Sequence, residues 1–275
     1  MTRGLRGLFF VSAVALVGYG IYRVSLHAGV QPIPALVTKT ADAHRAVSTA
    51  LDARIDRFLH DRVPAARPAG TKLVALSFDD GPYPVRTPLL LDALADLHVR
   101  ATFFLIGNDA LQYPSLTQRI VRDGHEIANH TLTHPEHFED LDPAQVTAEL
   151  DGAAAALGRF TDDPAVRTLF RPPHGRFSEE TVRAAQHAGY HVVLWNDDPG
   201  DWRQKVPAAA LARHLESNAS APDIILLHSG RMSTIEMLPE VVARFRRAGF
   251  SFVTVGEMMR RLPVSAIDHP EKLPV

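Results

Sequence analysis

The stretch LVALSFDDGP, residues 73–82, contains the strongest structural signal in the chain. Its run up to Phe78, apolar except for Ser77, is typical of a strand that is buried on both faces, as strands of parallel sheets are. Two adjacent carboxylates, Asp79 and Asp80, end this strand, and the Gly-Pro pair behind them predicts a turn. The stretch therefore predicts a strand of a parallel sheet with ionisable groups at its carboxyl end.

The rest of the domain repeats this unit. Short apolar runs alternate with amphipathic segments of ten or more residues, which is the pattern of parallel β/α units. Seven such runs favour an α/β barrel or near-barrel over an open doubly wound sheet. The runs fall at 73–78, 102–106, 126–128, 169–171, 191–195, 224–227 and 250–255, and the helical segments lie near 88–97, 110–123, 143–157, 179–188, 208–217 and 238–248.

Composition narrows the kinds of site that the chain can carry. Its 275 residues, 46% hydrophobic and 22% charged, fit one catalytic domain with short flanking segments. A net charge of −2 provides no electrostatic argument for a nucleic-acid partner. The chain has no cysteine, which excludes thiol nucleophiles and cysteine-type zinc sites, so a metal would need histidine and carboxylate ligands.

The N-terminal residues 1–27 have the pattern of a membrane segment. Arg3 and Arg6 precede an uncharged and largely apolar run over residues 7–22, slightly shorter than a typical span. Their positive charge predicts a cytoplasmic N-terminus and an extracytoplasmic catalytic domain, held by a single-pass anchor in the cytoplasmic membrane. The alternative is a cleaved signal peptide and a secreted protein, but no clear small-x-small cleavage site follows Tyr22.

Three further segments follow from local patterns. Residues 28–70 are predicted to form a helical stalk and a Pro-rich linker, because apolar residues recur at helical spacing before Pro64 and Pro68. The catalytic domain is predicted at 71–262 and a C-terminal tail at 263–275. These patterns specify no oligomeric state.

Polar and ionisable residues follow five of the predicted strands. In a barrel of parallel strands the carboxyl ends share one face, where catalytic groups lie. The first strand is followed by Asp79 and Asp80, the third by Asn129 and His130, the fourth by Arg171, the fifth by Asp197, Asp198 and Asp201, and the sixth by His228.

The residue types in this set suit a metal site. His130 and His134 are four residues apart and can reach a common point, and one carboxylate would complete a three-ligand zinc site with an open position for water. The pair by itself is a weak signal in a chain with 14 histidines. Adjacent Asp79 and Asp80 strengthen it, because one carboxylate can bind the metal while its neighbour stays free as a base.

Five ordered segments resemble the motifs of the polysaccharide deacetylase family, also called the NodB-homology or carbohydrate esterase family 4 domain. The resemblance covers about residues 71–262 and implies a distorted (β/α)7 barrel, here preceded by the predicted membrane segment. The segments are SFDDGP at 77–82, HTLTH at 130–134, RPPHG at 171–175, DPGDW at 198–202 and LLH at 226–228.

The resemblance also implies a role for each matching residue. It implies a divalent metal ion, Zn²⁺ first among the candidates, bound by three protein ligands beside a general base and a general acid. The metal ligands would be Asp80, His130 and His134. Asp79, held by Arg171, would be the general base, and His228, tuned by Asp201, would be the general acid. Trp202 and Leu226 would line the acetyl pocket, and the backbone amide near His174 would bind the oxyanion.

The activity implied is metal-dependent hydrolysis of N-acetyl groups in an N-acetylglucosamine polysaccharide, such as peptidoglycan or a chitin-like glycan, with release of acetate. Two alternatives stay open, an O-deacetylase acting on an acetylated xylan-like polymer and an inactive glycan-binding module. Ser77, His174 and Ser229 depart from the residues that are usual in the motifs, but no ligand, base or acid is lost. This favours an active enzyme.

Two more acidic residues are interpreted from position alone. Glu149 falls on the outer side of a predicted helix and is expected to be a solvated surface residue. Asp197 fits either a loop cap or a group that supports the site, and its position in the sequence favours neither.

Overall fold

The computed structural model describes residues 72–261, in which a curled parallel sheet is surrounded by helices. The predicted anchor at 1–27, the stalk and linker at 28–70 and the tail at 263–275 lie outside the described residues. Within residues 72–261, no helix has the length and apolar character needed to cross a membrane.

Strands and helices alternate along the described part of the chain. The strands are β1 Lys72–Asp79, β2 Thr102–Leu105, β3 Glu126–Asn129, β4 Leu169–Phe170, β5 His191–Val192, β6 Asp223–His228 and β7 Phe250–Phe252. The helices are α1 Arg86–Asp96, α2 Gly107–Gln112, α3 Pro114–Arg122, α4 Pro143–Leu157, α5 Ala165–Thr168, α6 Glu179–His187, α7 Ala208–Asn218, α8 Met232–Arg247 and α9 Val255–Arg261.

All seven strands are parallel, in the order β5-β4-β3-β2-β1-β6, and β7 pairs with the start of β1. At the carboxyl end of β1, Asp79 pairs with Phe104 of β2 and with His228 of β6. The predicted seven parallel units are therefore confirmed. The register also brings Asp79 and His228 to the same level of the sheet.

The sheet curls into a half-barrel and is not a fully hydrogen-bonded cylinder, which is consistent with the expected distorted (β/α)7 barrel. Strands β5 and β6 are the two edges, and the segment after β5 joins them through an isolated bridge between Asp197 and Ile225. The Asn196 amide donates to the Ile224 carbonyl and the Leu226 amide to the Asp197 carbonyl, both at 2.9 Å. We call this contact the seam.

Strand β1 shows how the core directs side chains toward the site. Val74, Leu76 and Phe78 belong to the large apolar cluster that also contains residues of α1, α7 and α8. Because side chains alternate along a strand, Ser77 and Asp79 point to the opposite face, into the curl of the sheet. Near the carboxyl end of this largely apolar strand, Ser77 and Asp79 are thus buried inside the curl of the sheet.

Some predicted elements need correction. The single helix predicted near 110–123 is two helices, α2 and α3, and the helix predicted from residue 238 begins at Met232. The short helix α5 and the terminal helix α9 were not predicted, and β5 ends at Val192, earlier than the predicted residue 195.

Candidate active site

The three predicted metal ligands meet at one point. Asp80 follows β1, and His130 and His134 lie in the loop after β3. The Oδ1 atom of Asp80 is 3.6 Å from Nε2 of His130 and 3.5 Å from Nε2 of His134. Ligands about 2.0–2.2 Å from a tetrahedral zinc ion lie roughly 3.3 Å from one another, so this donor set fits a bound ion.

Hydrogen bonding and charge prepare these groups to bind a cation. Nδ1 of His130 donates to the backbone carbonyl of Arg171 at 2.8 Å, which leaves Nε2 free to face Asp80. Burial acts to raise the pKa of Asp80, but the nearby imidazoles outweigh it and hold the pKa well below its usual range. Burial and the neighbouring His130 lower the pKa of His134 to about 4, so His134 is neutral at pH 7.

The backbone around this cluster is in an unusual conformation. Asp80, Thr131, His134 and His174 have φ values of 66°, 67°, 57° and 56°. Residues other than glycine are rarely found in this left-handed region, since the side chain crowds the backbone there. Left-handed backbone is therefore concentrated at the candidate metal ligands and at the neighbouring His174.

Glu149 on α4 supports the loop that carries the two histidines, so its interpretation as a solvated surface residue is wrong. Its carboxylate accepts hydrogen bonds from the Leu132 amide at 3.0 Å and from the Thr133 amide at 2.9 Å. The Thr133 hydroxyl adds a third bond at 2.7 Å. One carboxylate thus satisfies consecutive backbone amides in the middle of the His130–His134 loop.

The buried guanidinium of Arg171 holds Asp79. Its Nη1 atom donates to Oδ1 of Asp79 at 2.7 Å and to Oγ of Ser77 at 2.9 Å. Two backbone carbonyls, those of Val193 and Leu194, accept from the other guanidinium nitrogens at 3.1 Å each. Arg171 is 0% exposed, and burial lowers its pKa against the opposing charge of Asp79. Even so, arginine keeps its charge inside proteins.

This arrangement directs the second oxygen of Asp79 toward the metal cluster. Oδ2 of Asp79 lies 3.9 Å from Nε2 of His130, while Oδ1 is occupied by Arg171. Asp79 is therefore close to the candidate ligands while its position is set by a different partner. This geometry is compatible with the prediction that Asp80 binds the metal while Asp79 stays free as a base.

His228 and Asp201 form a second charged pair on the same face. Asp201 accepts from Nδ1 of His228 at 2.7 Å and from the His228 amide at 2.8 Å. Its Oδ2 atom also accepts from the hydroxyl of Thr234 on α8 at 2.5 Å. Burial acts to lower the pKa of His228, but Asp201, with Asp79 and Asp80, outweighs burial and raises that pKa above its usual value.

The other predicted site residues lie around these groups. Leu226 is buried two residues before His228 and shares its face of β6. Trp202 is 46% exposed in the loop after β5, where its indole donates to Asp198 at 3.2 Å. The ring of His174 packs edge-on against His134 with centroids 4.7 Å apart, and its Nε2 atom is 3.3 Å from Glu136.

Of the two interpretations of Asp197, a loop cap or a group that supports the site, the structure favours support, because Asp197 holds the chain at the seam. Its backbone forms the bridge to β6, and its carboxylate lies 2.7 Å from Nε2 of His214 on α7. Burial raises the pKa of this carboxyl, and the contact with His214 opposes the rise. Asp197 thus holds the loop that carries Asp201.

Near the candidate ligands, Tyr83 was missed by sequence reasoning, and Ser229 was noted only as a departure from its motif. The hydroxyl of Tyr83 donates to Oδ2 of Asp80 at 3.4 Å, and burial together with the charge of Asp80 raises the pKa of this tyrosine. The hydroxyl of Ser229 lies 3.3 Å from the Asp79 carbonyl and 3.2 Å from the Asp80 carbonyl. Position next to a motif was the signal available in the sequence for both residues.

A parallel sheet with a His-His-Asp cluster that could hold a metal ion, flanked by two charged pairs at its strand ends, is the arrangement of a metal-dependent type of hydrolase. Residues 66–193 match the family model described as polysaccharide deacetylase. The chain therefore belongs to the polysaccharide deacetylase family, as this match and the relatives described below show. The expected family and the expected polysaccharide deacetylase activity, a hydrolase activity, are confirmed.

Two of these relatives have different substrates in their names. The chain is 36% identical over 198 residues to a peptidoglycan-N-acetylglucosamine deacetylase of Bacillus cereus, with 70% of this chain and 91% of the relative covered. It is 35% identical over 201 residues to a chitooligosaccharide deacetylase of Bradyrhizobium, with 66% and 88% covered.

The fold is similar to that of solved structures as well. A family 4 carbohydrate esterase from Streptomyces lividans, in complex with acetate, matches with a TM-score of 0.61 and 30% sequence identity. The match covers 67% of this chain and 93% of the esterase.

Proposed function

We propose that this chain is a metal-dependent N-deacetylase that removes acetyl groups from the N-acetylglucosamine residues of peptidoglycan. The observation that carries the proposal is the placement of Asp79 and His228 beside one metal-binding cluster, each held by its own charged partner. Amide hydrolysis needs a base for the attacking water and an acid for the departing nitrogen, and the site contains a candidate for each. The peptidoglycan deacetylase of Bacillus cereus supports the choice of substrate.

The cluster of Asp80, His130 and His134 would hold the metal, and we propose Zn²⁺. The fit of two imidazoles and one carboxylate, with donor atoms within 4.8 Å of one another, supports this assignment. When bound, such an ion supplies an acidic water and a Lewis acid for the acetyl oxygen.

Asp79 is proposed as the general base. Its Oδ2 atom faces the cluster, where the attacking water has to lie, while Arg171 fixes Oδ1 at 2.7 Å. Asp79 therefore accepts the proton of that water without leaving its position. Arg171 stabilises the ionised carboxylate, which has to be present before each turnover.

His228 is proposed as the general acid. Because Asp201 accepts from Nδ1, the proton available for transfer is on Nε2. Asp201 also favours the imidazolium, so His228 is charged when the amine leaves. An amide anion is too basic to depart unprotonated, and this makes the donor necessary.

The remaining residues are proposed to bind the acetyl group. Leu226 lies beside His228 on β6 and presents an apolar side chain for the methyl group, and Trp202 would cover it from the loop after β5. The backbone amide at His174 is assigned to the developing oxyanion. The side chain of His174, packed on His134, is assigned no part in proton transfer.

We also propose that residues 1–27 anchor the protein in the cytoplasmic membrane, with 28–70 as stalk and linker and 71–262 as an extracytoplasmic catalytic domain. The segment of about 43 residues would reach at most about 150 Å if fully extended, which keeps the domain near the envelope glycan. Mass analysis of the protein isolated from membranes tests this. A mature form beginning near residue 27 or later would instead establish a cleaved signal and a secreted protein.

Acetate release by the full-length protein tests the substrate. Peptidoglycan, chitin oligomers and acetylated xylan are incubated with the zinc-loaded protein, and Asp79→Asn serves as the matched inactive control. We expect release from peptidoglycan that a chelator abolishes. Release from xylan esters alone would support the O-deacetylase, and binding of glycan without release from any substrate would support an inactive module.

A further inference from the structure

The two carboxylate oxygens of Asp80 have different neighbours. Oδ1 faces the imidazoles, 3.6 Å from Nε2 of His130 and 3.5 Å from Nε2 of His134. Oδ2 accepts the hydrogen bond from the Tyr83 hydroxyl at 3.4 Å. One oxygen is thus positioned for a metal ion, and the other is bound by a residue outside the three-ligand cluster.

The ring of Tyr83 packs closely against two glycines of the active-site face. Gly230, in the loop between β6 and α8, has no side chain, and a Cβ atom there would lie 2.8 Å from Cε2 of Tyr83. A Cβ atom at Gly81 would lie 3.2 Å from Cδ2 of the same ring. The Tyr83 amide donates to the buried hydroxyl of Thr87 at 2.7 Å. Close packing therefore fixes where the phenol hydroxyl points.

Asp80 needs such a partner more than His130 does. Its side chain is 25% exposed, against 2% for His130, which is also fixed by its bond to the Arg171 carbonyl. The backbone of Asp80 is left-handed and lies in the turn that follows β1, so no regular secondary structure holds it. A carboxylate in this setting can rotate and exchange the oxygen that it presents.

We propose that Tyr83 is a positioning residue for Asp80, whose hydroxyl holds Oδ2 so that Oδ1 faces the metal position. The inference rests on the proposed function, because it assigns Tyr83 to the same metal site. It locates the effect of Tyr83 in metal affinity and not in contact with the glycan. Partners that hydrogen-bond a metal-ligating carboxylate orient it in this way.

The test measures zinc affinity of the full-length protein directly. Metal-free wild type, Tyr83→Phe and the matched control Tyr113→Phe compete for Zn²⁺ with a chromophoric chelator. Tyr113 lies at the junction of α2 and α3, outside the loop after β1. We expect the zinc dissociation constant to rise roughly tenfold in Tyr83→Phe, the usual effect of losing an outer partner of a ligand. Tyr113→Phe should stay within twofold of wild type.

A second variant reaches the same hydroxyl by another route. Gly230→Ala introduces a methyl group against the Tyr83 ring and should displace the hydroxyl, so zinc affinity should fall here too. In the double variant Tyr83→Phe with Gly230→Ala, the losses should not add, because the hydroxyl can be lost only once. Equal melting temperatures of the metal-free variants would show that folding is not the cause.

Three results would overturn the role of Tyr83. These are a zinc affinity of Tyr83→Phe within twofold of wild type, additive losses in the double variant, or a rise in KM with unchanged zinc affinity, which would indicate a glycan contact. Failure of the proposed function looks different. Wild-type protein that binds no zinc would contradict the metal site itself, before any variant is compared.

Discussion

Arg171 contacts both halves of the site through different parts of the residue. Its backbone carbonyl accepts from Nδ1 of His130, and its guanidinium donates to Asp79. A substitution of the side chain can leave the carbonyl in place while it releases the base. The orientation of a candidate ligand and the position of the base are therefore separable at this residue.

At the residue scale, the first prediction separates the base from the metal ligands. Asp79→Asn keeps the shape of the side chain but removes the proton acceptor, so kcat should fall on the order of 10²-fold or more. Zinc content should stay at the wild-type level, since Asp80 and the two histidines are unchanged. Metal analysis and acetate release measured on the same preparation check this, and parallel loss of zinc would contradict the assignment.

A second prediction concerns pH. His228 acts protonated and its pKa is raised, so activity should decline as pH rises through that elevated pKa. Asp201→Asn removes the charge that stabilises the imidazolium, which lowers the pKa and should move the alkaline limb of kcat/KM to lower pH. Asp198→Asn is the matched control in the same loop and should leave the limb in place. An unmoved limb in Asp201→Asn would remove His228 from the role of acid.

The residues of the five motifs could be found from the sequence because they lie at the carboxyl end of a strand or in the segment after it. Tyr83, Glu149 and Thr234 could not, since their roles depend on contacts formed only after folding. Thr234 lies 33 positions from Asp201, and Glu149 lies 17 positions from Leu132. No local pattern distinguishes Glu149 or Thr234 from the other polar residues of a helix.

At the scale of elements, helix α4 acts as a support for the loop after β3. Glu149→Ala removes acceptors from the Leu132 and Thr133 amides, and each unsatisfied donor costs about 1–3 kcal/mol where it is shielded from water. We expect zinc affinity to fall several-fold as the loop loosens. Asp151→Ala, an exposed change on the same helix, is the control. Equal zinc affinity in the two variants would show that the loop holds its shape without Glu149.

Proline explains the helices whose bounds were predicted incorrectly. The predicted helix near 110–123 contains Pro114, which cannot donate a backbone hydrogen bond and instead begins α3 at its first position. In α8 the effect is the opposite, because Pro239 lies inside a helix that starts at Met232. Packing of Thr234, Met237 and Leu238 against the core carries this helix through the proline. Such packing is not visible in local sequence.

At the scale of the whole molecule, a bound metal would join the loops after β1 and β3. An ion that binds the native state and not the unfolded chain stabilises it by about 2.7 kcal/mol at 100 times its dissociation constant. Chelation should therefore lower the melting temperature by roughly 5–10 °C. Adding zinc should restore it, and His134→Ala should show a much smaller shift. If chelator left the melting temperature of the wild type unchanged, this would contradict a tightly bound ion.

The number and direction of the strands could be predicted because the alternation of strands and helices repeats along the chain and is typical of a parallel sheet. How far the sheet closes could not, since closure depends on a few backbone hydrogen bonds between Asn196, Asp197 and β6. Those bonds lie in a motif-rich segment that has no strand pattern. The seam is thus a property of the assembled sheet.

The seam has a consequence for the timing of catalysis. Asp201 follows the segment on one side of it and His228 ends the strand on the other, whereas Asp79 and the metal cluster belong to β1, β3 and their loops. A brief opening at the seam would separate Asp201 from His228, which stays paired with Asp79 through the β1–β6 register. Amide deuterium exchange at Asn196 and Leu226 should then report how often the donor is engaged. Inhibitors that coordinate only the metal would bind the protein whether the seam is open or closed. Analogues of the tetrahedral intermediate, which also need the proton donor, would bind preferentially when the seam is closed.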